Sequence, residues 1–427
     1  MRKPLGVMAA SLLLSATAMP TYAADSNKDL RAELERMQQE IDALRTEMAA
    51  DKNAIAAPND SEDGIQVGGV VRFNYTYTDY RNNAASKANR RRGGEGKFDL
   101  LGVTFNGKVS DVYLSAEYRH FEYMDVVRKA WVGYDFTDTL HGQLGIHQVP
   151  FGILPYASHS YYFNSNYYMG LEDDYDFGLK LIHDDGPLNL QAAFYLNDEM
   201  NGSTSNKRYS YDALGAIKKG TDFGEAKDTG NLFDEDGVIT TLDSKVSNLR
   251  AAWTFGHGTA FSTEVGVSGQ YGRLMDDDGY NMGDQYAYAA HLVGNYDRWN
   301  VQLQVTHYDN KIGDEYDRMI VGAYAGYDTI ARRATSYTGN VAYSLPVQIG
   351  PISTLTFYND YFYITDKPGD LKDTWMNVTG MSVAAGAIFA YLDIVNAKNQ
   401  PFIGGSMGEA DGEKHNLHYN FNVGYYF

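Results

Sequence analysis

Polar and apolar side chains alternate along the chain from Ile65 to its end at Phe427, and this period of two limits the fold more than any other feature. Within Val112–Arg119, every second residue is Val, Leu, Ala or Tyr, and the residues between them are Tyr, Ser, Glu and Arg. Successive side chains of a β-strand point to opposite sides of a sheet, so the pattern predicts strands with one apolar and one polar face. The region 65–427 is therefore predicted to be all-β.

Roughly 16 such stretches follow one another, and an even count is expected of a bacterial membrane barrel. They run near Ile65–Tyr80, Lys97–Val109, Asp111–Phe121, Val126–Phe136, Leu140–Gln148, Asp174–His183, Leu188–Leu196, Val246–Phe255, Ala260–Tyr271, Gln285–Tyr296, Trp299–Tyr308, Thr335–Val347, Ser353–Ile364, Asp373–Val383, Ala387–Asn396 and His415–Phe427. Met319–Tyr327 could be a further strand, but it would make the count odd.

The connections between these stretches alternate between short turns and long polar segments. The long segments are Arg81–Gly96, Val149–Asp173, Asn197–Lys245, Leu274–Asp284, Asp309–Ala334 and Ala397–Lys414. Short periplasmic turns opposite long external loops are typical of transmembrane antiparallel β-barrels. The mean hydropathy of −0.42 and the net charge of −19 suit such a barrel as well as a soluble protein, because its inner face is wet.

The N-terminal residues predict export and then a short helix. Arg2 and Lys3 precede an apolar stretch and a small-residue exit at Thr21–Ala24, which predicts a secretory signal peptide over residues 1–24. Residues 25–56 carry apolar side chains at steps of four and three, which predicts a periplasmic α-helical coiled coil that associates with copies of itself. The alternative is one amphipathic helix that folds onto its own barrel. Residues 57–64 are predicted to be a linker and 65–427 the barrel.

The long segment Val149–Asp173 is rich in aromatic residues and ends in acidic ones. A segment this aromatic is not expected to remain a solvated tether. We therefore expect it to fold into the barrel and narrow the pore, with Tyr156, Tyr161, Tyr167 and Asp173 at the constriction. The alternative is that it lies over the rim or at a subunit contact.

Several segments resemble a known family, the phosphate-selective porin O and P group of outer-membrane porins. The resemblance is carried by VRKAWVGYDF (Val127–Phe136), QLGIHQVPFG (Gln143–Gly152), DFGLKLIHDDGPLNLQAAFYLND (Asp176–Asp198) and the last three strands, which end in NVGYYF. It implies a passive diffusion channel, a homotrimer, and an inward-folded third external loop at residues 149–173. Some members of the group also carry a periplasmic N-terminal coiled coil.

The charges expected inside the barrel are mixed. The inward-facing basic candidates are Arg119, Lys129, Lys180 and Arg250, and they are interleaved with Glu117, Asp135, Asp176 and Glu264. A phosphate-selective pore needs many fixed positive charges, whereas here acidic residues lie between the basic ones. The sequence therefore predicts a weakly selective porin for small hydrophilic solutes and ions, with an anion-, phosphate- or dicarboxylate-selective porin as the alternative.

Other functions fit the sequence less well. Ser158 and His159 are adjacent, but neighbours on an extended chain point apart, so we expect no enzyme activity. A tether to the cell wall is a further alternative, although no wall-binding domain is recognisable. The acidic runs Asp276–Asp278 and Asp234–Asp236 lack the spacing of a calcium loop, so no metal and no cofactor is predicted.

The predicted location is the bacterial outer membrane, with the coiled coil in the periplasm. The predicted partners are further copies of the chain, outer-membrane lipid and lipopolysaccharide, which the basic run Arg90–Arg92 could contact, and the permeating solutes. No nucleic acid is expected.

Overall fold

The computed structural model describes residues 64–81, 83–224, 232–408, 410 and 415–427. Within these residues, sixteen antiparallel strands pair side by side and close into a barrel, in which the last strand pairs with the first. The wall strands are β1 (Gly64–Asp79), β2 (Glu95–Val109), β3 (Val112–Phe121), β4 (Met124–Thr137), β5 (Leu140–Gln148), β6 (Tyr175–Asp184), β7 (Leu188–Asp198), β10 (Leu242–Phe255), β11 (Phe261–Met275), β12 (Asn281–Tyr296), β13 (Trp299–Lys311), β16 (Arg333–Ile349), β17 (Ile352–Thr365), β18 (Thr374–Ala385), β19 (Ile388–Lys398) and β20 (His415–Tyr426). The predicted antiparallel barrel of 16 strands is confirmed.

Each predicted stretch coincides with one wall strand, and the end points differ by a few residues. Some strands are longer than the stretch of alternating apolar residues that predicted them; β10, for example, begins at Leu242 and not at Val246. Backbone pairing continues beyond the part of the strand that faces lipid, where apolar side chains are not required. The predicted signal peptide and coiled coil, and linker residues 57–63, lie outside the described residues.

Four further strands form a separate sheet from two of the long segments, called here the outer sheet. They are β8 (Asp212–Lys218), β9 (Val238–Thr240), β14 (Tyr316–Ala323) and β15 (Gly326–Ala331), in the order β15-β14-β8-β9. The stretch considered as an extra wall strand, Met319–Tyr327, therefore belongs to the β14–β15 hairpin and leaves the even count of the wall unchanged. Leu214, Ile217, Met319 and Ile320 of this sheet are fully buried, so its stability comes from apolar packing as well as from backbone pairing.

The two faces of each wall strand differ in exposure as the alternation predicts. On β10, Leu249 is 67% exposed on the outside, whereas its neighbour Asn248 is 1% exposed on the inside. The outward face of the barrel is a belt of Val, Leu, Phe, Tyr and Trp side chains. Contact of such a belt with the hydrocarbon of a lipid bilayer is favourable, whereas its exposure to water is unfavourable.

Replacing Leu249 with Lys should therefore lower the free energy of unfolding in lipid vesicles by about 2–4 kcal/mol, because a charge would enter the hydrocarbon. Denaturant unfolding in vesicles measures the change. Leu249→Ala is the control for lost contacts, and a Lys variant no less stable than the Ala variant would contradict the lipid-facing assignment.

The barrel is closed at its C-terminal residue. Gly69 N–H donates to the carbonyl of Phe427 at 2.7 Å, and Phe427 N–H donates back to Gly69 O at 3.0 Å. A Cβ at Gly69 would lie 2.7 Å from the Phe427 ring and 2.6 Å from the carbonyl of Gly102, so only glycine fits. Closure leaves the sixteen described wall strands without an unpaired edge.

The one α-helix in the described part of the chain is α1 (Ala84–Arg92), in the first long segment. Asn83 caps its N-terminus by accepting from Ser86 N–H at 2.8 Å, and Gly93 ends it with φ of 76°. Arg90, from the basic run of the first long segment, forms an ion pair with Asp79. No helix among the described residues is long and apolar enough to cross a membrane.

Candidate functional site: a loop inside the barrel

The chain leaves the wall after β5 and crosses the lumen before it returns at β6. Gly152 N–H donates to Ser268 Oγ on β11, and Ile153 N–H donates to Gln304 Oε1 on β13, both at 2.8 Å. Arg250 Nε on β10 donates to Gly152 O at 2.9 Å. These partners lie several strands away from β5 around the barrel, so the segment 149–173, called here the inner loop, lies inside the barrel.

The middle of the inner loop is fixed to β17 by one carboxylate. Asp360 is fully buried and accepts from Ser158 Oγ at 3.2 Å, from His159 N–H at 2.8 Å and from Ser160 N–H at 3.1 Å. It also contacts His159 Nδ1 at 2.8 Å, and His159 Nε2 lies 2.6 Å from Asn300 Oδ1. Both imidazole nitrogens therefore bond to the wall and not to a serine hydroxyl, so Ser158 and His159 lack the arrangement of an activated nucleophile.

The aromatic side chains of the inner loop contact the wall and the segment that leads into β8. Tyr161 OH donates to Asp99 on β2 at 3.1 Å, and Tyr162 OH lies 2.7 Å from His418 Nε2 on β20. Tyr167 OH donates to the carbonyl of Tyr209 at 2.9 Å. Tyr156 packs edge-on against Phe163 of the same loop. Of the three predicted tyrosines, Tyr161 thus contacts the inner wall, Tyr156 packs within the inner loop, and Tyr167 contacts the segment before β8.

Predicted charges on β3 and β4 are brought together with the end of the inner loop. Glu117 accepts from Arg119 Nε and from Arg128 NH1, the latter at 3.0 Å. Arg128 NH2 also donates to Asp173 Oδ1 at 2.7 Å. Lys129 pairs with Glu117 in the β3–β4 register and is buried. The result is a buried network of three basic and two acidic side chains.

Arg128 is the residue of this network that sequence reasoning missed. If Lys129 faces inward, strict alternation places its neighbour Arg128 on the lipid face. The strand pairing instead has a β-bulge at Arg128: Glu117 pairs with Lys129 and Tyr118 pairs with Val127, so Arg128 is an extra residue in β4. The bulge turns both Arg128 and Lys129 inward. An Arg at a lipid-facing position costs about 2–4 kcal/mol. An Arg predicted to face lipid in the middle of a strand could therefore have indicated the bulge from the sequence.

The remaining predicted residues lie elsewhere on the inner wall. Arg250 NH2 forms an ion pair with Glu264 at 2.6 Å, and His291 Nε2 lies 2.9 Å from the same carboxylate. Lys180 Nζ donates to Gln148 O at 2.8 Å. Asp176 lies in a separate acidic group at the external end of β6, described below.

The side chains of Arg119, Arg128, Lys129, Lys180 and Arg250 are called here the basic wall. The strands that face it carry mainly amides. The buried inward side chains there include Gln302, Gln304, Asn340, Asn420 and Asn422. Basic side chains therefore gather on β3, β4, β6 and β10, whereas other strands present amides and the carboxylates Asp99 and Asp360 to the inner loop.

Solved structures with the same architecture are outer-membrane porins and channels. OmpT of Vibrio cholerae matches with a TM-score of 0.51 at 12% identity, and covers 87% of this chain and 100% of its own. The outer-membrane channel DcaP of Acinetobacter baumannii matches with a TM-score of 0.52 at 11% identity, with coverage of 87% and 99%. An anion-selective porin from Comamonas acidovorans matches with a TM-score of 0.51 at 12% identity, with coverage of 86% and 100%.

No protein-family model matches the sequence, and no curated protein matches it. The identities to the solved structures are low, so the likeness concerns the fold. The chain has the 16-stranded barrel fold of the outer-membrane porins.

Proposed function

We propose that this chain is an outer-membrane porin, a passive diffusion channel for small hydrophilic solutes and ions that is constricted by the inner loop. The observation that carries the proposal is the inner loop itself, which crosses a polar lumen and bonds to the wall on β2, β10, β11, β13, β17 and β20. A permeating solute must pass between this loop and the wall. The apolar outer belt supports a location in the membrane.

The single-channel conductance of the purified protein in planar bilayers tests this function. Stepwise openings are expected, with a small unit conductance because the inner loop fills much of the lumen. The absence of openings in protein that is folded by circular dichroism would contradict a channel and favour the tether or enzyme alternatives.

The second candidate function is an anion-, phosphate- or dicarboxylate-selective porin. It is favoured by the basic wall and by the resemblance to the phosphate-selective family. Among the described residues of this wall, Arg119 and Arg128 form ion pairs with Glu117 and Asp173, and Lys180 donates to a backbone carbonyl. Against it, both carboxylates are bonded to these arginines, so part of the positive charge is already neutralised. The net fixed charge that lines a pore determines whether the pore favours anions or cations and how strongly it does so.

Replacing Lys129 and Lys180 together with Gln should shift the reversal potential under a KCl gradient toward cation selectivity. We expect the permeability ratio of potassium to chloride to change by about twofold or more, because two fixed charges leave the lumen. The matched control is Lys207→Gln with Lys219→Gln, two exposed lysines outside the wall. An equal shift in both double variants would contradict a role of the basic wall.

Added phosphate separates the two candidate functions. A weakly selective porin should conduct chloride with no block by millimolar phosphate, since no site holds the anion. A saturable block of the chloride current would favour the phosphate-selective alternative.

The N-terminal segments complete the proposal. We propose cleavage of the signal peptide 1–24, a periplasmic coiled coil at 25–56, and assembly as a homotrimer in contact with lipopolysaccharide and outer-membrane lipid. These parts rest on the heptad pattern and on the family resemblance. Chemical cross-linking of the full-length protein, compared with a variant lacking residues 25–56, tests whether the coiled coil contributes to the trimer.

A further inference from the structure

Six carboxylates gather at the external end of the wall, next to the point where the inner loop rejoins β6. They are Asp174, Asp176, Asp198, Glu199, Asp212 and Asp243. The side chain of Glu199 is 3% exposed, and Asp174, Asp176, Asp198 and Asp212 are buried. In the described part of the chain, Arg208 is the one basic residue that forms ion pairs with this acidic group. When its members are ionised, the group therefore carries more negative charge than Arg208 can neutralise.

Arg208 neutralises one side of the acidic group. Its NH1 lies 2.8 Å from both Asp198 Oδ2 and Asp212 Oδ2, and its Nε donates to Ser205 O at 2.8 Å. Neither Asp174 nor Asp176 has an ion-pair partner among the described residues. The excess charge thus lies on the side of the group that faces β6.

Three of the carboxylates are spaced to share one ion. Asp174, Asp176 and Asp212 each offer an oxygen, and these oxygens all lie within 4.8 Å of one another. Oxygen ligands lie at about 2.3–2.6 Å from Ca²⁺, so two of them on opposite sides of the ion are about 4.8 Å apart. The separation therefore suits a cation of this size with carboxylate ligands.

Unpartnered oxygens point to a missing ligand. Among the described residues, Asp176 Oδ1 is buried and has no hydrogen-bond partner, although Asp176 as a whole is only 4% exposed. Glu199 Oε2 is also buried without a hydrogen bond, and Arg208 NH1 lies 3.8 Å from it. The strand register places Asp176 opposite Asp198 and His147, so its backbone is held in the paired wall. A buried carboxylate without a partner is strongly unfavourable.

We propose that Asp174, Asp176 and Asp212 bind a divalent cation of the Ca²⁺ type, with Glu199 as a further oxygen donor. The ligand set is entirely carboxylate, which suits Ca²⁺ better than zinc or copper. Asp174 directly follows the inner loop, Asp176 belongs to the wall, and Asp212 belongs to β8 of the outer sheet. The ion therefore joins three separate parts of the molecule and fixes the end of the inner loop.

Calcium titration of the full-length protein in detergent, after treatment with EGTA, tests the proposal. Isothermal calorimetry should find one saturable site, and calcium should raise the melting temperature. In Asp176→Asn with Asp212→Asn, the affinity should fall at least about tenfold because two charged ligands are lost. Asp276→Asn with Asp278→Asn, in an exposed acidic turn, is the matched control and should bind calcium like the wild type.

Two outcomes would overturn the proposal: no saturable binding to the wild type, or unchanged binding to the Asp176/Asp212 variant. If the double variant fails to fold, the single variant Asp176→Asn serves instead, and in EGTA it should melt no lower than the wild type because a repelling charge has been removed. The measurement does not involve conductance, so its result is separate from that of the proposed channel function.

Discussion

Replacing residues 151–171 of the inner loop with a short Gly-Ser linker should raise the single-channel conductance by about threefold or more, because pore cross-section limits ion flow. The replacement is feasible because the two ends of the inner loop are already joined, with Val149 N–H donating to Asp174 O at 2.8 Å. The sixteen-stranded wall and the pair Arg128–Asp173 stay intact.

The control for this deletion is the same linker in place of Asp276–Gly279, the exposed tip between β11 and β12. That tip lies at the end of an external hairpin, so its replacement should leave the conductance as in the wild type. An unchanged conductance after removal of the inner-loop residues would contradict the constriction, and the segment would then have a structural role alone.

Replacing Asp360 with Ala should release the middle of the inner loop from β17. Three donors, Ser158 Oγ, His159 N–H and Ser160 N–H, would lose a charged acceptor, and hydrogen bonds to charged groups contribute about 1.5–3 kcal/mol each. We expect strong fluctuation of the open-channel current and a higher mean conductance, although lower than after deletion of the inner loop. Planar-bilayer recordings measure both quantities.

Two variants make the Asp360 result specific. Asp360→Asn keeps one acceptor oxygen and the same shape, so its current should fluctuate less than that of the Ala variant. Asp135→Asn removes a carboxylate that contacts His141 and Tyr113 and none of the inner loop, and its current should be as steady as in the wild type. Fluctuations of equal size in the Asp360 and Asp135 variants would contradict the anchoring role.

The site was partly predictable from the sequence. The aromatic content of Val149–Asp173 indicated a segment that packs inside the barrel, and in the structure this segment bonds to the inner faces of β11, β13 and β17. The partners of the segment could not be predicted, since Asp99, Asp360 and His418 are far from it in sequence and are brought near only by closure of the barrel. The carboxylates of the proposed cation site likewise come from separate segments, and only Asp174 and Asp176 are close in sequence.

The sequence by itself determined the wall of this protein. The period of two and the alternation of short and long connections give the number of strands, their positions and their outward faces, because each depends on neighbouring residues and on the cost of placing charge in lipid. Only the tertiary structure decided the inward turn of Arg128, the outer sheet of β8, β9, β14 and β15, and the bonds that hold the inner loop. Those features depend on contacts between distant segments, which local periodicity does not encode.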